Sequence, residues 1–154
     1  MLVDGTPIYK PFHIVGLYST FPGDLVSSAD FYAGGFGAEY TSRMSSVLDI
    51  QLRPGNTKEM QGSVGIGPFL TSARLEGPLQ QGSKSYLVQA RHSLIEQSSP
   101  TLLGQDAPYK FYDVTAKVHT QSESNQCSFV GVRSYDRGRI DPTQNASFRW
   151  ENTA

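Results

Sequence analysis

The residues able to do chemistry are scattered along this chain, and their spacing speaks against a reaction centre. His13, His92 and His119 stand far apart, with no carboxylate at the companion offset of a metal site. Cys127 is the single cysteine, so it forms neither an internal disulfide nor a thiolate cluster and reads as a small buried or lipid-facing residue. Serines are plentiful, yet no Gly-x-Ser-x-Gly elbow sets one against a histidine and an acid. Gly62-Ser-Val-Gly-Ile-Gly67 has the wrong glycine spacing for a phosphate loop and no helix pattern follows it. Gly34-Gly-Phe-Gly37 lacks both a lysine and a helix and reads as a turn with positive φ. Asn145-Ala-Ser147 fits the glycosylation triplet, a match common by chance. The reading is therefore of a non-enzyme with no catalytic, metal or cofactor residues, and no substrate-binding residue is assigned.

One polar pattern does have regular spacing. Arg74, Glu76, Gln89, Arg91, Asp113 and Lys117 recur at every second position within runs whose intervening residues are apolar. That is the period of a β-strand with a polar and an apolar face. Over Lys84 to Leu94, Tyr86, Val88, Ala90 and Leu94 share one face, and Ser85, Gln89, Arg91 and Ser93 the other, with Leu87 and His92 as exceptions. Over Lys110 to Thr120, Tyr112, Val114, Ala116 and Val118 oppose Asp113, Thr115, Lys117 and His119. Strands are expected at roughly 60–66, 69–77, 84–95, 110–120 and 127–136, with a sixth starting at Ala146. Val64 and Ile66 are out of phase with Phe69, Thr71, Ala73 and Leu75. Gly65-Ile-Gly-Pro68 between them favours a tight reversal over a bulge, because proline cannot donate to a ladder. The connections alternate in length: Gly77 to Ser83 and Gln121 to Asn125 are short, Gln97 to Tyr109 and the stretch after Asp136 long. Barrels of the bacterial outer membrane have short periplasmic turns and long external loops.

Residues 1–56 differ in texture. They are turn-rich, with β-type runs at Leu2-Val3, Ala29 to Tyr32 and Val47 to Leu52, and a short helix expected at about Pro22 to Ser27, where Pro22 suits a first turn and Asp24 the dipole. Arg53-Pro-Gly-Asn56 ends this region. The division is thus 1–56 and 57–154.

Composition excludes some classes and leaves others open. With 13 basic and 14 acidic residues the net charge is -1, and the basic residues are dispersed, so no nucleic-acid footprint exists. No apolar run reaches the ~18 residues of a membrane-spanning helix, which says little about barrel strands. Directly after Met1 no signal-peptide pattern is present, and the chain is expected to be an internal fragment of a longer protein.

The ordered motifs carry a resemblance. Leu2-Val-Asp-Gly-Thr-Pro-Ile-Tyr9, then Phe31-Tyr-Ala-Gly-Gly-Phe-Gly-Ala-Glu-Tyr40, then Ser45-Ser-Val-Leu-Asp-Ile50 resemble the end of the plug of a TonB-dependent outer-membrane receptor, in a Bacteroidetes-type style. Pro22-Gly-Asp24 stands where that family has a short helix, and Ala29 to Tyr32 where a strand runs into glycines. Arg43 matches a family arginine, although Thr41 and Ser42 replace the usual glycines before it. Gly62-Ser63, Leu75-Glu-Gly-Pro-Leu79 and Ser85-Tyr-Leu-Val-Gln-Ala-Arg91 resemble the start of the barrel.

The resemblance covers roughly residues 2–136. It implies an α+β plug remnant followed by antiparallel strands of an incomplete transmembrane β-barrel, mostly β. It also implies residence in the bacterial outer membrane and contact with its lipid. The intact receptor would import a siderophore, cobalamin, glycan or peptide, driven by a TonB-type energy-coupling protein that contacts a segment missing here. On this view the charged residues of the wall face the barrel interior, and Tyr86, Tyr109, Phe111, Tyr112 and Tyr135 form interface girdles. The alternative is a secreted all-β module binding a ligand or glycan.

Overall fold

Asp4 and Gly5 shape the first hairpin. The computed structural model describes residues 1–40, 45–139 and 147–154. In it β1 (Leu2–Val3) pairs antiparallel with β2 (Thr6–Pro7), Val3 opposite Thr6, which leaves Asp4 and Gly5 as the turn. Both have positive φ, 45° and 79°, the backbone a type I′ turn needs to follow the twist of its strands. β1 lies parallel beside β6 (Val47–Leu52), whose other edge pairs antiparallel with β5 (Val26–Tyr32), giving the sheet order β2-β1-β6-β5. β3 (Phe12–His13) and β4 (Tyr18–Ser19) make a separate ribbon.

The helix expected at Pro22 to Ser27 is a single 3₁₀ turn at Gly23–Leu25. Val26 is β-branched and pairs with Leu52, so the chain goes directly into β5. A second 3₁₀ turn spans Ile14–Gly16. Among the described residues, the helical share of the first 56 positions is confined to these two turns.

The remainder forms a six-stranded antiparallel meander in chain order: β7 (Gln61–Ile66), β8 (Leu70–Gln80), β9 (Lys84–Ser93), β10 (Tyr109–Gln121), β11 (Gln126–Arg139) and β12 (Ser147–Thr153). The sheet is open, with β7 and β12 at its edges. Each expected strand is present. The phase change falls at a true reversal: Ile66 faces Thr71, and Gly67 N–H donates to Leu70 O at 2.8 Å.

Two details depart from expectation. The stretch read as a loop from Gln97 to Tyr109 contains α1 (Ile95–Leu103), which ends at Gly104 in the left-handed region, φ 68°. Pro100 inside the helix has no N–H to donate, and the run Ser98-Ser99-Pro100 has weak helical propensity. Tertiary packing overrides this: Ile95 is buried in a cluster with Phe111 and Ile14, and the buried Ser99 hydroxyl accepts the Ala107 N–H at 2.9 Å. Connection lengths also alternate less strictly than read. The turns at 81–83 and 122–125 lie at one end of the sheet, whereas 67–69 and 94–108 lie at the other, and the first of these two is itself short. The chain joins β7 at the short-turn end, where Gly82 N–H donates to Thr57 O.

The two sheets share a core. Val3, Ile8, Leu25, Ile50 and Leu52 from the first part bury against Leu87 and Val132 of the meander. Leu87, the exception to the alternation of β9, is therefore an apolar residue on the polar face, placed where the first sheet docks.

Candidate functional site

The strand period puts Arg74, Glu76, Gln89, Arg91, Asp113 and Lys117 on one face of the meander, and this is the face the first part covers. Glu76 is gripped by both terminal nitrogens of Arg53, at 2.7 and 2.8 Å, and accepts the Asn56 N–H at 3.0 Å. Such a forked pair fixes orientation as well as charge. Arg74 Nη1 lies 2.6 Å from Asp24 Oδ2 and its Nε 3.4 Å from Glu76. Gln89 reaches toward Asp24 as well. Lys117 Nζ donates to Asp4 Oδ2 at 3.0 Å and to the Leu52 carbonyl, while Asp4 Oδ1 accepts the Leu52 N–H at 3.1 Å. The side chain of the turn residue Asp4 is thus a link between hairpin, β6 and β10 of the meander.

The deepest group centres on His13. Arg91 and Asp113 stand opposite each other on β9 and β10, and the guanidinium grips both carboxylate oxygens at 2.9 to 3.1 Å. Arg91 Nη2 also donates to Ser19 O at 2.6 Å. His13 Nδ1 is 2.7 Å from Asp136 Oδ2, and Nε2 is 3.3 Å from Asp113 Oδ2, close as an ion-pair contact but outside hydrogen-bond alignment. Phe111 stacks on the imidazole with ring centroids 4.3 Å apart. The His13 and Asp113 side chains are fully enclosed. Burial by itself lowers the His13 pKa, but its contacts with Asp113 and Asp136 and their negative charge outweigh this and hold it above the ordinary 6.5. Nearby, Lys10 sits over the rings of Trp150 and Phe148, at 4.3 and 5.2 Å, and burial lowers its pKa against the pull of Asp136.

The opposite face is apolar and uncovered. Val64 and Ile66 on β7, Leu75 on β8, Val88 on β9, Val114 and Val118 on β10 and Phe129 on β11 are all exposed. Tyr112 and Tyr135 stack on this side, centroids 5.2 Å apart, and Tyr86 shares their parity. Toward the β12 edge the band is broken by Arg133, paired with Glu151 at 2.6 Å. The expected aromatic girdle therefore needs correction: Tyr86, Tyr112 and Tyr135 point outward, but Phe111 is wholly buried against His13, and Tyr109 packs into the same cluster. Odd positions of β10 face inward, and Phe111 and Tyr109 share that parity.

His92 faces outward opposite Tyr112 and Thr71, His119 binds Ser128 at 2.9 Å, and Cys127 is exposed. The three histidines stay apart. Among the described residues no group of three or more His, Cys, Asp or Glu side chains is arranged for a metal ion. Arg43 with Thr41 and Ser42, the Asn145 and Ala146 of the glycosylation triplet, and the start of the sixth strand at Ala146 lie outside the described residues. His13, Asp136, Asp24 and Asp4 were absent from the polar pattern. Asp136 alone had a usable signal, the parity of β11; the others sit in short irregular segments with no period to read.

No protein-family model, curated protein or solved structure matches this chain.

Proposed function

We propose that the chain carries the C-terminal part of the plug and the first wall strands of a TonB-dependent outer-membrane receptor, with the apolar face of the meander against lipid. One observation carries this reading: the polarity of the meander is inverted. Valine, isoleucine, leucine and phenylalanine are exposed on one face while Arg91, Asp113, Lys117 and Glu76 are buried on the other. In water that arrangement is unfavourable twice over, because it leaves apolar area hydrated and requires charges to be desolvated. In a membrane wall it is the expected one, since strands alternate apolar-out and polar-in. Two further features support it. The plug-like part joins the wall at the end with the short turns, the periplasmic side of such barrels. Its acids and bases meet partners on the wall, as a plug inside a barrel must.

In this reading the intact receptor captures a siderophore, cobalamin, glycan or peptide on its external side. A TonB-type protein, acting on a segment outside these residues, then rearranges the plug. The pairs Arg53–Glu76, Arg74–Asp24 and Lys117–Asp4 bridge the two parts and hold them until that force is applied. The chain's own residues bind and position; none is given a catalytic step.

The charged pair Arg133–Glu151 on the outward face favours a second reading, a secreted all-β module whose strand face binds a ligand or glycan. Spin labels separate the two. With Cys127→Ser as background, labels at Val88→Cys and Val114→Cys are expected to be accessible to oxygen in the bilayer and shielded from a water-soluble relaxant. A compact monomer in detergent-free buffer, with both labels open to the aqueous relaxant, sinks the membrane reading.

A further inference from the structure

The outward face changes character at the end opposite the short turns. Lys110 on β10 stands directly across from Arg137 on β11, and Arg137 directly across from Arg149 on β12. Three cations thus occupy one row on adjacent strands, where side chains are about 4.5–5.5 Å apart at the backbone, and like charges so placed repel. Arg139 lies two residues further out along β11, opposite Ser147. None of the four forms an ion pair among the described residues; Arg149 only lies over the ring of Tyr135, 5.3 Å from its centre. They line a cavity of about 650 Å³ together with two carboxylates, Glu96 and Asp106, so positive charge exceeds negative there.

Position gives this row its meaning. The next row inward is the stacked pair Tyr112–Tyr135, and beyond it Val114 stands between Ala90 on β9 and Arg133 on β11, whose guanidinium pairs with Glu151. Along β10 the outward face therefore runs from apolar Val114 through aromatic Tyr112 to cationic Lys110, while on β11 the ion-paired Arg133 interrupts the apolar run. Aromatic rings mark the headgroup level of a bilayer, which sets the cations level with lipid phosphates. The same end carries the longer connection 94–108, and longer connections mark the external side of an outer-membrane barrel.

We propose that Lys110, Arg137 and Arg149 form a binding row for the phosphorylated headgroup of an outer-leaflet lipid, with Arg139 at its rim. The row rests on the membrane reading above and extends it to a named ligand class. A phosphate monoester supplies up to two negative charges and three acceptor oxygens, which guanidinium groups take in forked pairs. It removes the repulsion that the unliganded row sustains.

The experiment is a comparison of vesicles. The chain in detergent is offered to neutral phosphatidylcholine vesicles and to the same vesicles carrying a lipid phosphate monoester. Each cation near an anionic surface contributes roughly a 5-fold preference, so about 100-fold is expected for the row. The preference is lost in Lys110→Gln/Arg137→Gln/Arg149→Gln and kept in Lys84→Gln, a cation at the other end of the sheet, while both variants still bind neutral vesicles. Equal binding of the wild type to both vesicles, or a preference that survives the triple substitution, overturns the row and leaves the membrane reading intact. Failure to bind either vesicle overturns the membrane reading and the row with it. Loss of the preference on adding inorganic phosphate at constant ionic strength reassigns the row to a free anion and overturns the lipid assignment.

Discussion

Lys117 on β10 holds Asp4 of the first hairpin, Nζ to Oδ2 at 3.0 Å, across 113 positions of chain. Both side chains are nine-tenths or more buried, so removing either partner leaves a charge without compensation. Asp4→Asn keeps a residue that tolerates the positive φ of the turn and is expected to cost about 3–5 kcal/mol. The double variant Asp4→Asn/Lys117→Met is expected to recover part of this. Denaturant unfolding of the four proteins checks it; a loss below about 1 kcal/mol in Asp4→Asn would mean the pair behaves as a hydrated surface pair.

His13 makes stability depend on pH. Its pKa in the folded chain is raised above the 6.5 of the free side chain, because Asp113 and Asp136 outweigh its burial. The stabilisation is therefore complete below about pH 6.5 and is lost as pH rises through the higher folded value. Unfolding midpoints measured from pH 6 upward are expected to fall in the wild type and to stay flatter in His13→Gln. Parallel slopes would remove His13 as the cause.

Gly55 lies where the linker crosses β9. A Cβ added there would stand 2.1 Å from the backbone carbonyl oxygen of Tyr86, and neither group is a flexible side-chain end. Gly55→Ala is expected to destabilise by about 1–3 kcal/mol by forcing the linker off β9. Gly82→Ala serves as a contrast: its Cβ meets nothing within 4 Å, and only its φ of 77° is strained, for about 1 kcal/mol. Thermal unfolding of the two variants distinguishes steric contact from backbone strain.

Val114 tests the outward face directly. In the bilayer reading, Val114→Lys places an ammonium in hydrocarbon and is expected to cost about 2–4 kcal/mol of insertion free energy at the midplane. The same substitution at Gln121, on the exposed end of β10, is expected to be near neutral. Reversible folding into vesicles measures both; equal values would show that Val114 faces water.

Much of the meander was legible because strands write a period of two into the sequence. Glu76, Gln89, Arg91, Asp113 and Lys117 fall on the face that alternation assigns them, and the glycine and proline near Pro68 mark the reversal. The helix at Ile95–Leu103 was not legible, since Pro100 and the serines before it oppose a helix that packing on Phe111 sustains. The parity of β10 did hold the inward position of Phe111. Reading aromatics by type, as headgroup-level residues, obscured it.

What the sequence determined by itself is local: the Asp4-Gly5 turn, the strands, and which side chains share a face. Backbone sterics and the period of the pleat decide these, and both act between near neighbours. What only the tertiary structure decided is the partner of each charged residue. His13 with Asp136, Arg53 with Glu76 and Asp4 with Lys117 are brought together by the docking of one sheet on the other. No spacing along the chain encodes these pairs, because burial selects them: an enclosed charge must be met by an opposite one, wherever in the chain that comes from.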